Sequence, residues 1–292
     1  MKHTSLILSI VVSVFAFAFK ADDNYETEIK NWHLKRAENL KKEDGWLNLA
    51  GLIWLQEGEN TIGGDASNSI IFPSNHSDAK LGKVILKNGK VSFVSAEKAT
   101  VFLGQEPVKE AELFPYTDKP VVLKHQSLRW FIIQRGDKFA IRLRDLESPY
   151  LKEFKGIETF PIDKNWRIKA KFVPTVGKKI KITDITGRTY EQESPGKLVF
   201  SINNKEYSLE ATSAGKDLSL VFGDLTNKHE SYGGGRFLEV PAPDAEGITY
   251  IDFNKAYNPP CAFTPYATCP LPTPENKLSV AIPAGEKRYG NH

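Results

Sequence analysis

Between residues 24 and 42, Tyr25, Ile29, Trp32, Arg36 and Leu40 recur at three- and four-residue steps, while Lys30, Lys35, Glu38 and Lys41 fall on the opposite side. That spacing predicts an amphipathic helix that ends near Gly45 and lies against a larger body. From Trp46 the pattern shortens to a period of two. Trp46–Leu49, Asn60–Gly63, Ser69–Phe72, Lys83–Leu86, Lys90–Phe93, Thr100–Leu103, Val121–Leu123, Trp130–Ile133 and Phe139–Leu143 are short runs rich in β-branched and aromatic residues. Gly63-Gly64-Asp65, Pro73-Ser74-Asn75, Lys87-Asn88-Gly89 and Arg135-Gly136-Asp137 punctuate them. Asn-Gly between two alternating runs is a strong hairpin signal, and short, evenly spaced strands predict a sandwich.

A charged stretch with Ser148-Pro149 separates this region from a second one that is also strand-rich. Trp166–Phe172 and Lys179–Ile182 alternate strictly, and Asp184–Arg188 reads as a turn. Gly196–Ile202 and Glu206–Ala211 flank Asn203-Asn204, and Leu218–Phe222 follows. The expected fold is mainly β: a helical segment at 22–45, then two β-sandwich-like domains at 46–150 and 151–292. No internal repeat of 20 to 50 residues interrupts this plan.

With 39 basic and 36 acidic residues the net charge is +3. So even a balance, with no basic run, argues against a nucleic-acid binder. Lys2 followed by the uncharged run Leu6–Phe19 and the small residues Ala16 and Ala18 reads as a signal peptide over residues 1–21. That run of about 14 residues is shorter than the roughly 20 needed to span a bilayer. The expected product is exported, periplasmic or extracellular, with no stable membrane span after cleavage. The two cysteines, Cys261 and Cys269, are close enough in sequence to form a disulfide in an oxidising compartment. They match no zinc knuckle, and the histidines are scattered, so no metal site is expected.

The densest chemistry lies between Tyr232 and Lys287. There Tyr232, Arg236, Asp252, Asn254, Tyr257, Asn258, Glu275, Asn276 and Glu286 sit among prolines and glycines. Such a stretch is suited to a rigid, irregular surface that holds side chains in place. The first eight of these residues are the expected binding set, for a small polar or anionic ligand or a partner; a structural alternative is a closed salt-bridge network that ties the C-terminus down. Phe237–Ile251 reads as a strand–turn–strand unit, so a hairpin would bring Arg236 and Asp252 together across its strands. The alternative is a hydrolase with Asp252 or Glu275 as acid or base and Arg236 holding an anionic group. His229 is a further acid–base candidate, or simply a solvated loop histidine. Gly233-Gly234-Gly235 could present backbone N–H groups to an anion, but no strand-to-helix context follows, and the plainer reading is a flexible entry to the strand at Arg236. No nucleophile elbow, zincin helix, phosphate loop or dinucleotide fingerprint is present, and no cofactor is expected.

The stretches G-G-R-F-L, D-F-N-K-A-Y-N-P-P-C-A-F, C-P-L-P-T-P-E-N-K-L and A-I-P-A-G-E-K resemble a bacterial family known only as domain of unknown function 1684. The likeness reaches upstream to G-W-L-N-L-A-G-L-I-W-L-Q-E-G-E-N-T-I-G and R-W-F-I-I-Q-R-G-D-K-F-A-I-R-L-R-D. It implies that these stretches form a unit; it brings no reaction, cofactor or substrate. In addition, Glu57–Gly63 and Asn68–Phe72 are similar to the opening strands of a forkhead-associated sandwich. That family reads phosphothreonine with an arginine after the glycine, where this chain has Gly64. Ser74, Asn75 and His76 do not restore its second loop. The resemblance therefore implies a fold without phosphopeptide recognition.

Overall fold

A computed structural model describes residues 24–175 and 177–290. The expected leader and its cleavage region lie outside them. The chain divides into two compact units. One takes residues 40–154 with 264–267; the other takes the chain up to Asn39 with 155–263 and 268 onward.

The helix (α1) occupies residues 24–41. Ile29 and Leu40 are fully buried on its apolar stripe, and Lys30 pairs with Glu26 at 2.7 Å on its outer side.

The N-terminal unit contains β1 (Leu49–Trp54), β2 (Gly58–Gly63), β3 (Ile70–Ile71), β4 (Gly82–Lys87), β5 (Lys90–Ser95), β6 (Phe102–Leu103), β7 (Glu106–Pro107), β8 (Glu110–Phe114), β9 (Leu123–His125), β10 (Leu128–Arg135) and β11 (Lys138–Asp145), then a single helical turn, α2 (Pro149–Lys152). A five-stranded sheet runs β3-β2-β4-β5-β8 and a six-stranded one β1-β11-β10-β9-β6-β7. One core joins them: Ile62, Val84, Leu86 and Phe93 come from the first, and Leu128, Trp130, Ile132 and Ile141 from the second. Trp130 meets Phe72 and Phe93 edge-on at centroid distances of 5.5 and 6.0 Å. Alternating burial on two facing sheets makes the arrangement sandwich-like. Asn88 and Gly89 both take positive φ between β4 and β5, the conformation that a two-residue hairpin of this type requires. At Gly64, an added Cβ would stand 2.7 Å from Ser77 Oγ and 3.0 Å from Ser74 Cα, so a larger side chain there requires this loop to move.

The C-terminal unit contains β12 (Arg167–Pro174), β13 (Lys179–Thr183), β14 (Thr189–Glu193), β15 (Gly196–Ile202), β16 (Lys205–Ala214), β17 (Asp217–Phe222), β18 (Arg236–Val240) and β19 (Ile248–Asp252). Six strands form one sheet in the order β18-β17-β16-β15-β12-β19, and β13-β14 form a separate ribbon. Its core gathers Leu198, Leu209, Leu220, Phe222, Leu238, Ile251 and Phe253 with Ile282 and Ala284 of the C-terminal tail. The expected hairpin between residues 237 and 251 does not form. β18 pairs with β17, whereas β19 pairs with β12. Asp244 is the physical reason: its carboxylate accepts from the N–H of Ile248 at 2.7 Å and of Glu246 at 3.1 Å. This local turn, with Gly247 at φ 75°, sends the chain along β12 instead of back along β18.

Candidate functional site

The polar residues of the C-terminal motif fall into separate clusters. Arg236, at the start of β18, is fully buried. Its partner is Asp224, 2.7 Å away and also enclosed, not Asp252. Its Nη2 also donates to the carbonyl of Ile282 at 2.9 Å and its Nη1 to that of Ala284, while the buried Nε makes no hydrogen bond among the described residues. Burial pulls the Arg236 guanidinium below its ordinary pKa, with Asp224 opposing. Asp224 is itself held by the N–H and hydroxyl of Thr226 and by the N–H of Ile282, at 2.9, 2.6 and 3.1 Å. Every oxygen of this carboxylate is therefore committed to a donor inside the fold.

A second enclosed cluster ties α1 to the C-terminal tail. The Glu286 side chain is buried; its Oε2 accepts from the Asn258 N–H at 2.7 Å, and Arg36 Nε lies 3.5 Å from its Oε1. Arg36 also donates to the Asn258 carbonyl at 2.9 Å and stacks over the Tyr257 ring at 4.6 Å. Asn258 Nδ2 holds the Lys287 carbonyl at 2.7 Å. Burial pushes the Glu286 carboxyl up to about 7, against the pull of Arg36. Burial, with Glu239 adding to it, also raises the Tyr257 phenol. Asn276 is likewise buried and structural: it accepts from the Glu210 N–H at 2.7 Å and donates to the carbonyls of Glu210 and Val221, both at 2.9 Å. Tyr232 is buried, and Glu275 is exposed on the short 3-10 turn Pro274–Asn276.

Asp252 differs from all of these. It caps the 3-10 turn Phe253–Lys255 and remains half-buried. Tyr25 of α1 places its hydroxyl 2.9 and 3.0 Å from the two carboxylate oxygens. Asn254, buried beside it, donates to Oδ1 at 3.1 Å and to the Asp163 carbonyl at 2.8 Å. Burial and the Asp252 charge push the Tyr25 phenol well above the tyrosine range, so it remains a neutral donor. The carboxylate opens on a cleft of about 910 Å³. Tyr25, Trp32 and Tyr250 give it aromatic walls; Asp217, Glu239, Asp244, Lys164 and Arg167 add charge. Arg167 lies over the Tyr250 ring at 4.1 Å, and Lys255 is paired with Glu28 at 2.7 Å. Of the eight residues expected to bind ligand, Asp252 is the one that lines this cleft. Tyr25, Trp32 and Arg167 lie on other elements, up to 227 residues away in the chain, which residue order does not reveal; Tyr250 lies on β19 itself, two residues before Asp252. The stripe position of Tyr25 was the one available signal, and it reads equally well as packing.

Cys261 and Cys269 stand as a disulfide pair with Cα atoms 6.1 Å apart, within the geometric limit for such a bond. Among the described residues no group of histidine, cysteine or acidic side chains is arranged to hold a metal, and no helix is long and apolar enough to cross a membrane.

Fold and clusters together define a mainly β protein whose C-terminal unit is sealed by a disulfide-bearing tail. Residues 152–287 match a family described as "Protein of unknown function (DUF1684)". The upstream stretches that resemble the family lie outside the matched residues. A solution structure of an uncharacterised protein of Haloarcula marismortui is 30% identical, with 47% of this chain and 78% of that chain covered and a TM-score of 0.39. A structure from a study of phosphothreonine-dependent FHA domain interactions is 16% identical over 31% of this chain and 79% of that one, with a TM-score of 0.22. At these TM-scores neither likeness bears on mechanism. No curated protein matches the chain.

Proposed function

We propose that the C-terminal unit of this protein binds a small, hydroxyl-rich ligand, of the saccharide class, in the cleft at Asp252. The observation that carries the reading is the Asp252 carboxylate itself. It is held by Tyr25 and Asn254 yet half-exposed at the wall of a large cleft, where, among the described residues, its Oδ2 accepts from the Tyr25 hydroxyl. A carboxylate in that state accepts hydroxyl donors without first breaking a buried pair. Aromatic faces beside a few convergent polar groups suit a ring with an apolar side. Acidic residues outnumber basic ones along the lining, which favours a neutral ligand over an anionic one in this cleft.

The hydrolase alternative gains nothing from the geometry. Arg236 is sealed away with Asp224 and Glu275 is exposed elsewhere, so neither stands beside Asp252 to share a substrate. Export is proposed on the strength of the cysteine pair and the N-terminal apolar run. The test of the binding reading is a thermal-shift and calorimetric screen of mono- and oligosaccharides against the full chain and Asp252→Asn. The expected result is a saccharide that binds the native protein and loses affinity at least tenfold in the variant. Equal binding by both, or no binding in the panel, overturns the assignment.

A further inference from the structure

A second cavity of the C-terminal unit, of about 530 Å³, lies between the glycine turn at Gly233–Gly235, the loop after β17, strand β13 and the segment Leu271–Leu278. Its charge is one-sided. Lys181, Lys228 and Lys277 line it, and its one carboxylate, Asp224, is turned inward and neutralised by Arg236. None of the three ammonium groups has a carboxylate within 4 Å among the described residues, whereas the likewise exposed Lys83 and Lys152 do.

The scaffold around these lysines is closely built. Asn227 accepts from the Asp224 N–H at 2.7 Å and donates to Ser231 Oγ at 2.9 Å and the Tyr232 carbonyl at 3.0 Å, and Thr226 and Ser231 share a hydroxyl contact at 2.8 Å. Lys228 adopts φ 74°, a left-handed backbone that is uncommon and costly outside glycine. In this conformation its Cγ lies 3.3 Å from where a Cβ on Gly233 would stand, so the lysine stem crosses the glycine turn. Lys277 does the same at Gly223, at 3.7 Å. Gly235 has no room for a side chain: a Cβ there would meet Pro272 Cγ at 2.4 Å and the Phe222 carbonyl at 2.7 Å. Thus Gly235 is required by close approach, and the stems of two lysines pack beside glycines at the cavity wall.

We propose that this cavity is a binding site for a small organic phosphate or sulfate, its oxyanion held by Lys181, Lys228 and Lys277. Unpaired ammonium groups around one cavity concentrate an anion and donate charge-assisted hydrogen bonds to it. The remaining lining, Leu225, Leu271, Pro272 and Leu278, with Leu225 63% exposed, provides an apolar surface for the organic part. The site is independent of the Asp252 cleft, and the two assignments stand or fall separately.

The test is calorimetric titration of the full chain with inorganic phosphate, inorganic sulfate and phenyl phosphate, at ionic strength matched with sodium chloride. Lys228→Ala and Lys277→Ala are compared with Lys171→Ala, an exposed lysine of β12 outside this cavity. Binding of phenyl phosphate more tightly than of inorganic phosphate is expected, with a loss of roughly tenfold or more in each site variant and none in the control. All three lysines are exposed, so their replacement leaves the core intact; unchanged circular dichroism and thermal midpoint establish that for each variant. Absence of binding at millimolar anion, or equal loss in Lys171→Ala, overturns the proposal.

Discussion

Arg236 and Asp252 are both charged, both lie at the end of a strand of the same sheet, and both came from the same motif. They nevertheless do different things. Arg236 is enclosed with a carboxylate and two carbonyls on its donors, whereas Asp252 is held on one side and open on the other. A charge removed from water must be paired inside the fold, and once paired it has nothing left for a ligand. A half-exposed charge, held in place but incompletely matched, keeps that capacity. Side-chain type marks neither state; enclosure does.

The comparison breaks most visibly at Arg236. Arg236→Ala leaves Asp224 buried without its counter-charge, at an expected cost of about 3–5 kcal/mol. Urea denaturation measures it, and a loss below about 1 kcal/mol would show that the pair is not holding the tail. Arg236→Ala should not change the ligand specificity of whatever protein remains folded.

Glu286 tests the closed region by pH. Burial raises its carboxyl from 4.5 to about 7, in the presence of Arg36 and Arg236. The unfolded chain releases this proton at lower pH than the folded chain does. The group's stabilising contribution is therefore full below pH 4.5 and is lost as the pH rises toward 7, by on the order of 3 kcal/mol across that window. Glu286→Gln should flatten this component of the stability profile; an unchanged slope between pH 4.5 and 7 in the variant would sink the assignment.

The tail cross-link comes next. Replacing both Cys261 and Cys269 by serine opens a short loop, worth about 2.5 kcal/mol in chain entropy. A thermal midpoint unmoved by the double replacement, with folding intact, would contradict a disulfide in the native protein.

The smallest expected effect on stability is at the open site. Asp252→Asn should shift folding free energy by less than about 1 kcal/mol, because the group is half-exposed and keeps its hydrogen-bond partners. Its effect belongs in saccharide affinity. A loss of stability comparable to that of Arg236→Ala would place Asp252 in the closed class and remove the contrast.

The local code was legible in the chain wherever neighbours in sequence decide the outcome. The stripe from Tyr25 to Leu40 became α1, Asn88-Gly89 and Asn203-Asn204 became tight hairpins with positive φ, and most alternating runs became strands; the expected strand at Trp46–Leu49 is instead a turn through Asn48, and β1 begins only at Leu49. Glu106–Pro107 and Glu110–Phe114 escaped notice because their patterns are polar and short, and pairing with β6 and β5 decides them. The expected 237–251 hairpin failed for a related reason. Two adjacent strands with a turn between them do pair by default, but the side-chain turn at Asp244 redirects the second to a different neighbour.

By itself the sequence determined element types, the mainly β class, the close cysteine pair and the stretch in which polar residues concentrate, since these depend on periodicity, turn chemistry and spacing. Only the tertiary structure decided that Arg236 belongs to Asp224, that Tyr25 reaches Asp252 from 227 residues away, and that three lysines from separate elements share one cavity. The physical reason is that a charge's role depends on how much water it keeps and which group it meets. Both are set by long-range packing, of which residue order carries no local trace.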